Sequence, residues 1–162
     1  MDAIDSHGGG AGMLRQSLKR LQVTTRGEGF DDITGPLNGL IAASGLTLGS
    51  ATIATLHTSC SLTVNENADP RVLVDLAAFL RALVPPEGVR SLSGQGERRP
   101  WVHDDEGPDD MPAHIRTALT CTSLVLPFQS GLLLLGTWQA VYLWEHRARP
   151  HSRSLSLHLV GE

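Results

Sequence analysis

The sequence predicts an α+β domain of packed, antiparallel-rich β-sheets with two to three helices, and three observations carry that expectation. Strand-like segments come in runs and not as regular strand–helix–strand repeats. The last of them alternates Leu155, Leu157 and Leu159 with Ser154, Ser156 and His158, the two-residue period of a half-buried strand. The segment after Asp69-Pro70 carries the clearest run of apolar residues at helical spacing. With 162 residues, 41% of them hydrophobic, the chain suffices for one domain with a real core.

Taken in order, residues 1–12 are glycine-rich and aperiodic, which predicts a flexible tail ahead of a single domain over 13–162. Leu14 to Thr25 suits a strand and Arg26-Gly27-Glu28-Gly29 a turn. Thr34 is expected to cap a helix that begins near Pro36, buries Leu37, Leu40 and Ile41, and stops at Gly45. Thr52 to His57 and Ser61 to Glu66 read as strands, with a break at Thr58-Ser59-Cys60. Asp69 caps the clearest helix, with Pro70 first inside it, and Pro85-Pro86 ends it. Its expected inward stripe is Val72, Leu73, Leu76, Phe79, Leu80 and Leu83. Glu87 to Pro100 lacks periodicity and reads as a mobile loop. Asp110 is expected to cap a short helix that turns Met111, Ile115, Ala118 and Leu119 to the core. Three strands close the chain: Ser123 to Pro127, Leu132 to Thr137 running past Trp138 into Gln139 to Glu145, and Arg153 to Val160.

Composition narrows the function classes. Thirteen basic against 17 acidic side chains, with three Phe, three Trp and one Tyr, form no basic surface interleaved with aromatics, so no nucleic-acid partner is expected. The run of four leucines at Leu132 to Leu135 reads as a buried strand, and no apolar run approaches the length of a membrane span. Two cysteines, Cys60 and Cys121, make no disulfide framework, and no apolar signal core opens the chain. A reducing cytoplasm is the expectation.

Chemistry concentrates at His103-Asp104-Asp105-Glu106-Gly107-Pro108-Asp109-Asp110-Met111-Pro112-Ala113-His114, where five carboxylates lie between two imidazoles. So dense a set of like charges is tolerated when fully solvated or when a cation neutralises it, and histidine at both ends supplies nitrogen ligands.

This segment, together with His57-Thr58-Ser59-Cys60-Ser61-Leu62, Asn65-Glu66-Asn67-Ala68-Asp69-Pro70, Gly136-Thr137-Trp138-Gln139 and Glu145-His146-Arg147, closely resembles the YjbQ family. Members are often labelled secondary thiamine-phosphate synthase enzymes. The resemblance implies a compact α+β fold with packed sheets, assembly as a homotrimer, a metal-capable histidine cluster, and a low-level activity joining a pyrimidine diphosphate to a thiazole phosphate with release of pyrophosphate. Cys60 and Cys121 stand where the family pattern has alanine and glycine, and the Glu87 to Pro100 loop exceeds the usual compact turn.

Roles follow from residue chemistry. Three imidazoles, His57, His103 and His114, are the expected ligands of a divalent metal, zinc first, with an open position for substrate; His146 is the reserve ligand and otherwise a substrate contact. Magnesium fits only if a diphosphate brings it. Glu66, Glu106, Asp109 and Asp110 are candidates for a general base or for orienting the imidazoles. A small phosphorylated molecule is the expected partner, met by hydroxyls and amides of Thr58, Ser59, Ser61, Asn67 and Thr137, by guanidinium forks of Arg147 and Arg153, and by Trp138 and Gln139 against a ring. A metal-dependent hydrolase of a phosphorylated or acyl substrate and a non-enzymatic metal- or anion-binding trimer are the alternatives.

Overall fold

A computed structural model of the chain describes residues 12–91 and 93–162, so the expected tail falls, but for Gly12, outside the described residues. The elements run β1 (Arg15–Thr24), β2 (Gly29–Asp32), α1 (Thr34–Ala42), β3 (Leu48–Thr55), β4 (Cys60–Glu66), α2 (Pro70–Leu83), α3 (Asp110–Leu119), β5 (Ser123–Gln129), β6 (Leu132–Leu133), β7 (Gln139–Glu145) and β8 (Ser152–Gly161). All pairing is antiparallel, in a five-stranded sheet ordered β1-β8-β3-β5-β6 and a three-stranded sheet ordered β2-β7-β4. The α+β expectation holds.

The core lies between the sheets. From β8, Leu155, Leu157 and Leu159 are fully buried, while Ser154, Ser156 and His158 between them are half-exposed, as the alternation requires. They meet Ala51 and Ile53 of β3, Leu62 of β4, Val141 and Leu143 of β7, and Leu37 and Ile41 of α1. Strand β7 is buried at every position but its first, because α2 and α3 lie toward the three-stranded sheet and leave neither of its faces to water.

Several boundaries depart from the sequence expectation for identifiable reasons. Helix α1 begins at Thr34 itself with Ile33 in the cap position: the Thr34 hydroxyl accepts the Val141 N–H at 2.9 Å, and the Thr34 N–H goes to Asp32 Oδ1. Strand β3 starts at Leu48 and ends at Thr55, short of His57, while β6 holds only Leu132 and Leu133 of the expected six residues. On α2 the cap holds, Asp69 Oδ1 accepting from the Arg71 N–H at 2.9 Å, but Ala77 and Leu80 are the buried positions and Phe79 and Leu83 face outward.

Helix α3 is rotated from its expected face. Asp110, Pro112, Ala113, Arg116 and Thr117 are buried, whereas Ala118 and Leu119 are exposed. Arg116 turns inward because it has partners there, donating to Glu28 Oε1 and to the Val84 carbonyl, each at 3.1 Å. Asp109, not Asp110, occupies the cap position, and its carboxylate is drawn away from capping to Arg147 and the Ala148 N–H. The 87–100 loop is closed at its base by a bridge between Val89 and Arg99, with both backbone hydrogen bonds at 2.9 Å.

Candidate metal centre

The segment Leu56 to Ser59 crosses from the five-stranded sheet, where β3 ends, to the three-stranded sheet, where β4 begins. Its backbone and side chains collect partners from both sides. His57 Nε2 accepts the Ser154 N–H at 2.8 Å, the Thr58 carbonyl lies 2.9 Å from His114 Nδ1, and the Ser59 carbonyl accepts from the His146 N–H and from Arg153.

Above this crossover, His103, Asp110 and His114 each offer a ligand atom, and these atoms lie within 4.8 Å of one another. Asp110 and His114 share a helix face because they are four residues apart. A carbonyl only accepts, so the proton of His114 sits on Nδ1 and its Nε2 keeps a free lone pair. Such a hydrogen bond on the far nitrogen is the usual means of fixing a ligand imidazole. Nε2 of His114 is 3.6 Å from Asp110 Oδ1, and Nε2 of His103 is 2.8 Å from Oδ2.

The buried oxygen Oδ2 of Asp110 makes no hydrogen bond of good geometry; its near neighbour is His103 Nε2 at 2.8 Å, an ion-pair contact when that imidazole carries a second proton. An unpartnered carboxylate oxygen inside a protein is costly. Two donor atoms that approach without bonding to each other suit a third body, and two imidazole nitrogens with one carboxylate are a donor set for zinc or a neighbouring transition metal that leaves positions open. This donor set is one that a divalent cation could use, and it differs in one member from the three histidines expected from the sequence. His57 is not among the gathered ligands; its Nε2 is occupied by Ser154, and burial beside Arg153 lowers its pKa. Asp110 takes its place.

The arginines also depart from expectation. Arg147 reaches Asp110 Oδ1, Asp109 Oδ2 at 3.0 Å, Glu106 Oε2 at 3.4 Å and the Glu106 carbonyl at 2.9 Å. Burial works against its charge, but Asp109, Asp110 and Glu106 outweigh it and raise its pKa. Arg153 is buried against Glu145, with Nε on Oε2 at 2.7 Å and Nη2 on Oε1. Glu145 accepts as well from the Thr25 hydroxyl and the Arg147 N–H, both at 3.0 Å. Burial pushes its carboxyl up, yet these donors hold it below the usual range. Neither guanidinium is a free phosphate fork, because each is committed to an internal carboxylate.

Among the remaining candidates, Ser61 and His146 are buried and bonded to each other at 2.9 Å through Oγ and Nε2, so the Ser61 hydroxyl faces a side chain and not a ligand. His146 Nδ1 is buried without a partner, and burial, reinforced by Arg116, pushes its pKa down to about 3. Thr58 is exposed, and Ser59 is buried. Strand β4 separates these from Glu66, Asn67, Thr137, Trp138 and Gln139, since seven residues at ~3.4 Å each put its ends roughly 20 Å apart. There, Asn67 Nδ2 donates to the Gln139 carbonyl, Gln139 Oε1 accepts the Gly136 N–H, and Trp138 is exposed. The chain thus brings Glu106, Asp109, Asp110 and Arg147 to the histidines and leaves the second group at the opposite end of the sheet. Glu145 is absent from the residues expected of the site; an acidic residue closing a fully apolar strand and preceding His146-Arg147 was the available signal.

Two packed antiparallel sheets and a His/carboxylate cluster at one end of the smaller define the class of protein. Residues 19–162 match the family model described as UPF0047 protein YjbQ-like, and the chain belongs to that family. It is 45% identical over 152 residues to a UPF0047 protein of Synechocystis, covering 94% of this chain and 97% of that one. It is 39% identical over 145 residues to the UPF0047 protein YjbQ of Escherichia coli O157:H7, covering 89% and 97%. Among solved structures, a conserved hypothetical protein of Thermus thermophilus superposes with a TM-score of 0.72 at 34% identity, over 87% of this chain and 98% of that one. A YbjQ-like protein of Sulfolobus solfataricus shares the fold, with a TM-score of 0.76 at 22% identity over 92% and 99%.

Proposed function

We propose that the chain is a metal-dependent enzyme hydrolysing a small phosphorylated substrate, with His103, Asp110 and His114 as ligands of a divalent cation, zinc foremost. The observation that carries this reading is the buried, unpartnered Oδ2 of Asp110 facing His103 Nε2 across 2.8 Å. A zinc-type ion in such a site supplies Lewis acidity toward a phosphoryl oxygen and toward water.

The chain's own residues do the rest. The Thr58 carbonyl fixes His114 so that Nε2 points into the site, and Arg147 holds Asp110 by Oδ1 and leaves Oδ2 for the cation. Asp109 anchors Arg147 from the other side and is tied to the Ala148 N–H; burial raises its pKa, but these two bonds outweigh it, so it stays a carboxylate that holds Arg147. Glu106 is the most exposed carboxylate of the three that Arg147 touches, its side chain 72% exposed and only loosely held by Arg147 Nη1 at 3.4 Å, which suits it to accept a proton from an attacking water. Glu66 is too distant for that task.

Thiamine-phosphate synthase activity, which the family resemblance implies, is a secondary reaction on this reading. A departing pyrophosphate needs cationic forks, and both guanidiniums expected to supply them already hold carboxylates. The outer face of the five-stranded sheet bears no helix and exposes Leu18 and Val125, which supports assembly as a homotrimer. Among the described residues no helix is long and apolar enough to cross a membrane, and both cysteines are free, which suits a cytoplasmic site of action.

Turnover of a panel of small phosphoesters, before and after chelation and after zinc is restored, tests the reading. Activity should vanish with the metal and return with it, and Glu106→Gln should lose turnover while keeping its metal. Turnover indifferent to chelation would refute the proposal.

A further inference from the structure

Beside the cation cluster lies an apolar cavity of about 360 Å³ whose wall includes Val89, Pro100, Trp101, Val102 and Met111. His103 belongs to both, being a wall residue of the cavity and a member of the cluster. Met111 follows Asp110 directly on α3, so the helix start that presents a ligand carboxylate also presents the cavity's thioether.

The cavity is built, not incidental. The Val89–Arg99 bridge pins both arms of the 87–100 loop, and Gly88, at φ 107°, is held so close that a Cβ there would lie 2.1 Å from the Arg99 carbonyl oxygen. Trp101 is oriented by its Nε1–H, which donates to the Pro85 carbonyl at 3.0 Å, so its indole is a fixed wall. Val102, at the cavity's rim, is 85% exposed, an apolar surface that a ligand would partly cover. Arg99, also at the wall, adds a positive charge.

We infer that this cavity is the specificity pocket of the site, and that the substrate is a small phosphate monoester whose organic group is one apolar ring. The inference rests on the cation-site reading above. The phosphate would lie at the cation with Arg99 as counter-charge, and the ring between Trp101, Val102 and Met111. A volume near 360 Å³ sits at the small end of ligand pockets, which run from about 300 to 1,000 Å³, and has ample room for a ring, for which a cavity of about 150 Å³ already suffices.

The test uses zinc-loaded full-length protein and two inert probes, phenylphosphonate and methylphosphonate, titrated by calorimetry. Burying the ring should tighten binding about tenfold to a hundredfold over the methyl compound. A Val89→Asn, Val102→Asn variant, polar but uncharged and altered only at exposed positions, should bind methylphosphonate and zinc as before and lose most of the phenyl preference. Equal affinity of the two probes, binding of neither, or a preference that survives in the variant overturns the pocket while zinc uptake stands. Failure to take up zinc, read first in the same preparation, overturns the cation site and this inference with it.

Discussion

Glu145 and Asp110 are both buried carboxylates held by an arginine, and they differ in what is left over. Both oxygens of Glu145 have donors, from Arg153, Thr25 and the Arg147 N–H. Asp110 has Arg147 on Oδ1 and no well-formed hydrogen bond on Oδ2; two imidazoles partly open to solvent flank it, His103 Nε2 at 2.8 Å from Oδ2 and His114 Nε2 at 3.6 Å from Oδ1. The first arrangement is closed and holds the fold; the second leaves an oxygen without a well-formed hydrogen bond in a cluster with two imidazole nitrogens. Burial does not distinguish these two carboxylates; the oxygen that lacks a well-formed hydrogen bond does.

Breaking the closed side should produce the largest effect. Arg153→Met removes the counter-charge of a fully buried carboxylate and should destabilise the protein by about 3–5 kcal/mol, seen as a lower urea midpoint, while zinc content per folded chain is unchanged. A stability loss near zero would mean that Glu145 is solvated and that the contrast with Asp110 is false.

A smaller effect comes from His146, which belongs to the closed side. Its imidazole is held neutral in the fold, its pKa pushed from the ordinary 6.5 to about 3 by burial and by Arg116. Between those values the unfolded chain binds a proton that the folded chain refuses, so stability is fully present above pH 6.5 and is lost progressively as pH falls toward 3. The loss from pH 7 to pH 5 should be roughly 2 kcal/mol for one such group. His146→Asn should flatten that part of the pH–stability curve; an unchanged slope would show that His146 does not contribute it.

What could be read in the sequence follows the range of the interactions concerned. Helix α2 and strand β8 were legible because capping at Asp69 and the Leu155-Leu157-Leu159 alternation are local signals. The acidic run between His103 and His114 pointed to the place of the cluster for the same reason. The third ligand was not legible. His57 has the right chemistry, but the end of β3 turns it toward the Ser154 N–H, and that partner is 97 residues away in the chain. Arg147 and Arg153 read as anion forks because nothing local shows that one reaches back to Asp109 and Asp110 and that the other lies against Glu145 on a neighbouring strand.

The central claim, that Asp110 is open and ligating while His57 is not, is tested most directly by zinc titration of the wild-type protein beside Asp110→Asn and His57→Gln. The account predicts a single zinc per chain in the wild type and in His57→Gln, and affinity weakened at least about tenfold in Asp110→Asn. Zinc held as tightly by Asp110→Asn as by the wild type, or lost from His57→Gln, would contradict it.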